Sequence, residues 1–139
     1  MLVQLVFASV ATQPCSQTQE AILQQARKHN ADSAITGALC YGYGIYLGAM
    51  EGERSQINRI YAEVLRDERH AHAQLLYFSE ISERTFAHWP LGRVNLESLN
   101  PSAILKYIPQ WPPQPEHWTA VSALAFLKDM VASASVVAR

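Results

Sequence analysis

Charge is scarce in this chain and neither sign dominates. Only 17% of its 139 residues are charged, 11 Lys+Arg stand against 12 Asp+Glu, and the formal net charge is -1. Such a balance gives no global field to draw in nucleic acid or an anionic membrane surface, so neither is an expected partner. Cysteine is almost absent: Cys15 and Cys40 are too few for a disulfide scaffold. They also make no zinc-binding spacing with His29, His70, His72, His88 or His117. The start, Met1-Leu2-Val3-Gln4-Leu5-Val6-Phe7, lacks the basic region of a signal peptide. No run approaches the roughly 18 apolar residues of a membrane span. The expectation is a soluble, cytoplasmic protein with reduced thiols. Phosphate-cradling loops of the GxxxxGK[ST] or GxGxxG kind are missing. With no nucleophile–base pair or metal cluster visible either, the chain is not expected to be an enzyme.

What is present is apolar. Residues of the AVILMFWYC set make up 49% of the chain, which excludes intrinsic disorder, and the length suits one core. Leu2 to Ser9 is a short, partly β-branched run that reads as a buried strand. Pro14 breaks it, and Ser16 or Thr18 is placed to cap a helix reaching about Lys28, with Ile22, Leu23 and Ala26 as its apolar stripe. Ala34 to Tyr41 and Ile45 to Met50 flank Gly42-Tyr43-Gly44 and predict a β-hairpin. Ser55 to Arg66 carries Ile57, Ile60, Tyr61, Val64 and Leu65 at the spacing of a core-facing helix. Ala73 to Ser79 is a fourth strand, and Gly92 to Asn95 a short fifth. Glu51, Glu53, Asp67 and Glu68 are expected at helix ends and turns.

The order is β-α-β-β-α-β: an α+β, ferredoxin-like mixed sheet with two helices on one face. Residues 1–100 form this unit. Residues 101–139 add a linker rich in proline (Pro109, Pro112, Pro113, Pro115) and a helix over about His117 to Ser133. That helix carries Trp118, Val121, Leu124, Ala125 and Val131, and is expected to pack on the open sheet face, with an oligomer interface as the alternative. The topology alone assigns no function. An acylphosphatase would need an arginine in the loop after the first strand, and Val10-Ala11-Thr12-Gln13-Pro14 has none.

Several segments in register resemble the blue-light sensing BLUF domains across about the first hundred residues. They are Leu5-Val6-Phe7-Ala8-Ser9, Ala26-Arg27-Lys28-His29-Asn30-Ala31, Ile35-Thr36-Gly37 and Tyr46-Leu47-Gly48-Ala49-Met50-Glu51-Gly52. Asp67-Glu68-Arg69-His70 and Glu83-Arg84-Thr85-Phe86-Ala87-His88-Trp89-Pro90-Leu91-Gly92 continue the series. The resemblance implies a flavin, usually FAD, between the two helices. By position Asn30 would bond the polar edge of the ring and His29 would lie against its face. Ile22, Ile35 and Tyr46 would help to wall it. Arg69 and His70 would lie toward the ring and ribityl side, Arg27 or Lys28 would meet phosphate, and Trp89 stands where the family often has a tryptophan. It also implies a protein partner for signal output, and homo-oligomers are expected. The residues alone leave other roles open: Asn30 as a left-handed helix terminator, Arg69-His70 as a solvated turn.

Two departures matter. The family relay takes an electron and proton from a first-strand tyrosine and then rearranges a third-strand glutamine against the flavin. Phe7 and Gly48 hold those places here. Phenylalanine has no ionisable O–H, and glycine has no side-chain donor or acceptor. The photocycle is therefore expected to be lost. Losing one hydrogen bond to the ring costs about 0.5–1.5 kcal/mol, so FAD binding is expected to weaken or, at the limit, to be absent. The alternative reading is a flavin-free protein-interaction module on the same fold.

Overall fold

A computed structural model describes residues 1–133 and 135–136. Alternation along the strands sets its architecture, because successive side chains point to opposite faces. On β1 (Leu2–Ala11), Val3, Leu5 and Phe7 enter one core, and Val6 and Ala8 enter the other. On β3 (Ile45–Glu53), Tyr46 and Met50 join the first core, and Ile45, Leu47 and Ala49 the second. A sheet buried on both faces needs two covering layers. Helices α1 (Ser16–Asp32) and α2 (Arg54–Arg66) supply one through Ile22, Leu23, Ile57 and Ile60. The other comes from α3 (Pro101–Leu105), α4 (Ala120–Ala132) and the segment joining them, through Ile104, Ile108, Trp118, Phe126, Leu127 and Met130.

The five-stranded sheet has the order β4-β1-β3-β2-β5, with β2 spanning Thr36–Gly42, β4 His70–Glu80 and β5 Gly92–Asn95. β1 runs antiparallel to both β3 and β4, and β2 antiparallel to β3. β5 pairs parallel to β2, which makes the sheet mixed. The β2–β3 hairpin turns through Tyr43 and Gly44, both at positive φ (54° and 75°), as a turn matched to strand twist requires. The expected α+β, ferredoxin-like β-α-β-β-α-β order with its C-terminal helical extension is the observed one.

Local expectations are corrected at several points. α1 runs on to Asp32, beyond the expected Lys28, so Asn30 sits within its last turn and does not terminate it. The left-handed residue is Ala34, at φ 53°, between α1 and β2. At the N-terminus of α1 the flanking residue is Cys15, not Ser16 or Thr18, and it makes no side-chain cap. Leu65 does not belong to the buried stripe of α2 and is 56% exposed, because α2 buries Ile57 and Ile60 farther up the helix. The prolines do not form a free linker: Pro113 and Pro115 are buried, and a 3-10 turn covers Pro115–His117. α4 begins at Ala120, where Thr119 Oγ1 accepts from Ser122 N and Ser122 Oγ accepts from Thr119 N. It buries Ala123, Phe126, Leu127 and Met130, and Val121 of the expected stripe faces away.

Glu51 departs furthest from expectation. It lies on β3 rather than in a turn, fully buried. Its carboxylate accepts from Thr85 N (2.7 Å), Phe86 N (2.8 Å), Gln4 Nε2 (2.9 Å) and Thr36 Oγ1 (3.1 Å). Four donors offset its desolvation and fix the start of the segment leading into β5.

Candidate functional site

A cleft of about 480 Å³ lies between α1 and α2. Its walls are Ile22, Ala26 and His29 of α1 and Ile60, Glu63 and Val64 of α2, and its end is closed by Asp67, Arg69 and His70. The volume falls in the range of small-molecule sites, and the lining joins four apolar side chains, Ile22, Ala26, Ile60 and Val64, to a larger set of polar and charged ones. Beneath it a second space of about 70 Å³ reaches the sheet, floored by Phe7, Leu39, Gly48 and Met50, with Leu91 at its side. Asn30 and His70 line both spaces, so these polar side chains stand at the junction.

The floor is shaped by one pair. Phe7 and Gly48 are direct partners across β1 and β3. A Cβ placed on Gly48 would fall 2.7 Å from Phe7 Cζ, so the ring occupies the space that any side chain at position 48 would need. Glycine here permits a close approach, and the ring covers its bare backbone. Phe7 also lies 5.7 Å from the Tyr61 ring and 6.1 Å from the His70 ring, between centroids.

Polar groups at the junction are oriented by their neighbours. Asn30, 3% exposed, donates from Nδ2 to the Pro90 carbonyl oxygen at 2.7 Å. Ser9, fully buried, meets His70 Nδ1 at 2.8 Å. Burial holds the His70 imidazole below its ordinary pKa against the opposing pull of Asp67, and Arg69 adds to the lowering. Arg69 forks onto Asp67, with Nε 2.9 Å from Oδ1 and Nη2 2.6 Å from Oδ2, and Nη2 also reaches Gln25 Oε1 at 2.8 Å. Hydrogen bonding from Arg69 keeps the Asp67 carboxyl below the usual range. At the rim His29 Nδ1 stands 3.8 Å from Glu63 Oε2, bringing the two helices together.

Of the residues that the family resemblance named, Ile22, His29, Asn30, Arg69 and His70 line the cleft. Others lie elsewhere. Arg27 and Lys28 are exposed on α1 and are not part of the lining. Ile35 is buried in the core between sheet and helices, beside the start of β2. Tyr46 is fully buried below the cleft, its ring centroid 4.8 Å from that of His70. Its hydroxyl has no partner among the described residues, and burial raises its pKa. Trp89 packs against the opposite core and edge-on to His88, and Leu91 takes the place at the inner space. Sequence reasoning missed Ser9 and Gln25. Ser9 was within reach of it, since a residue two places after Phe7 on a strand shares its face.

Comparison with known proteins bears on this cleft. The family model described as sensors of blue-light using FAD matches residues 2–92. The photoactivated adenylate cyclase subunit beta of Euglena longa is 32% identical over 100 residues, which are 70% of this chain and 12% of that protein. The chain thus spans about an eighth of that curated relative. Among solved structures, the ground state of BlsA superposes with a TM-score of 0.84 at 24% identity, covering 94% of this chain and 88% of that one. The dark state of BlrB, a BLUF protein, gives 0.76 at 22% identity, with 96% of each chain covered. These likenesses extend past the family match to the C-terminal layer, and at such identities they speak to fold alone.

Proposed function

Because the chain belongs to the BLUF family of blue-light sensors that use flavin, we propose that its α1–α2 cleft takes up FAD and that the family's tyrosine–glutamine relay no longer operates there. The size of the cleft suits a planar ring, with Ile22, Ala26, Ile60 and Val64 as its apolar contacts and a polar surround for the ring edge. Asn30 Oδ1 and the second ring nitrogen of His70 remain for polar contacts, with Arg69 at the closed end and His29 at the rim. When bound, the flavin supplies blue-light absorption and an excited state that accepts an electron.

The observation that carries the loss of the relay is the packing of Phe7 on Gly48. At neither position is there a hydroxyl to give up a proton or an amide to rotate, and the ring excludes a bulkier residue at 48. Arg27, Lys28, Ile35, Tyr46 and Trp89 then act indirectly or not at all, given where they lie. Output passes through a protein partner or a second copy of the chain. A flavin-free interaction module is the second reading, and it is favoured by one contact: the Asn30 amide is already engaged by Pro90.

Titration of the purified chain with FAD, followed by blue illumination, tests both halves. Saturable binding with an absorption band that does not move to the red is the expected result. A reversible red shift overturns the lost relay, and absence of saturable binding leaves the interaction module.

A further inference from the structure

Buried Ser9 and half-buried His70 form a pair that the light relay does not use. Ser9 lies on β1, fully buried, two residues from Phe7 and directly across from Tyr46 on β3. Its hydroxyl has one hydrogen-bond partner among the described residues, His70 Nδ1 at 2.8 Å. The direction of that bond follows from counting acceptors. If Nδ1 carried the proton and donated to Oγ, the serine hydrogen would be buried with nothing to accept it, at the cost of an unmade bond. With the serine donating, both atoms are satisfied. Tyr46, whose ring lies 4.8 Å from that of His70, does not replace either partner, since its own hydroxyl is unbonded. A neutral imidazole that accepts at Nδ1 carries its proton on Nε2. That second nitrogen makes no bond within the described residues, and the side chain lines both the cleft and the inner space.

We infer that Ser9 is a positioning residue: it holds His70 as the Nε2–H form, so that the cleft presents a hydrogen-bond donor to a carbonyl oxygen or unprotonated ring nitrogen of its ligand. For the identity of the ligand this rests on the flavin reading above; for the state of His70 it does not. The donor stands next to a floor that offers none, since Phe7 and Gly48 have no polar side-chain atom. The ligand class is a flat heteroaromatic ring with an acceptor edge.

Long-range proton–nitrogen correlation spectra of the full chain at neutral pH read the ring directly, with His70→Gln identifying the signals. Wild type is expected to show Nε2 protonated and Nδ1 as a hydrogen-bonded acceptor. In Ser9→Ala the Nδ1 resonance should move to that of an unbonded acceptor or lose its single form, and Ser9→Thr should restore it. Protonated Nδ1 in wild type, or a ring signal indifferent to Ser9→Ala, overturns the inference. FAD titration supplies the ligand-facing arm. Ser9→Ala is expected to bind roughly tenfold more weakly, the worth of one hydrogen bond, with recovery in Ser9→Thr. Equal affinities in a wild type that does bind FAD overturn the role toward the ligand. If wild type binds no FAD, the flavin reading fails while the ring spectra still decide the state of His70.

Discussion

Phe7 and Gly48 behave as one packing unit, because the ring lies where the first carbon of any other side chain at 48 would go. Gly48→Ala is therefore expected to cost about 1–3 kcal/mol, the usual range for overpacking a filled site. In a Phe7→Ala background the same change should cost far less, so a double-mutant cycle in urea should give a coupling of roughly 0.5–3 kcal/mol. Independent, additive effects would show that the ring yields freely. His70 carries a second expectation at this scale. Burial, the largest cause, lowers its pKa in the native state. The unfolded chain then binds the proton more readily, and stability should fall as pH drops below about 6.5. The loss ends once the native ring is protonated as well. Urea midpoints measured across this range should show the slope in wild type, and His70→Asn should flatten it.

At the scale of elements, the join between α1 and β2 stores strain that glycine would relieve. Ala34 adopts φ 53°, a conformation that costs residues bearing a Cβ roughly 1–2 kcal/mol. Part of the gain from Ala34→Gly is returned as unfolded-state entropy, so a net stabilisation of about 0.5–1 kcal/mol is expected by thermal unfolding. No gain would mean that contacts of the Ala34 methyl offset the strain. This join also shows how far the sequence could be read. The strands and the stripe on α2 were legible because strands of a sheet buried on both faces leave continuous apolar runs and a core-facing helix repeats its apolar residues every three or four places, and they placed the β-α-β-β-α-β order. The end of α1 was not, since Arg27-Lys28-His29 resembles a helix terminus and the actual stop depends on Asn30 O accepting from Ile35 N at 2.9 Å. Glu51 was read as a turn residue because a lone carboxylate gives no sign that four donors from distant segments will converge on it. Of the cleft residues on α1, Ile22 and Ala26 fall on the apolar stripe of the helix, His29 and Asn30 were named by the family resemblance alone, and Gln25 gave no signal. Trp89 and Leu91 could not be sorted between the two cores, because that depends on how β5 docks beside β2.

For the whole molecule, the decisive feature is a sheet with two buried faces and only one of them inside the region that the family model matches. Residues 2–92 build four of the five strands and the helical layer that bears the cleft. The opposite layer comes from residues beyond it: Ile104, Ile108, Trp118, Phe126, Leu127 and Met130 cover Val6, Ala8, Cys40, Leu47 and Phe86. Burying one such large side chain is worth about 1.5–3 kcal/mol, so this layer together contributes an amount comparable with the 5–15 kcal/mol stability of a typical domain. A chain cut after Asn100 should therefore lose cooperative unfolding and bind a hydrophobic dye even at low temperature, although every residue lining the cleft is retained. If the shortened chain instead melted sharply within a few degrees of the full one, the sheet would be stable with that face bare. The C-terminal layer would then be free to leave it, and its apolar surface would be available to a partner without unfolding the sensor.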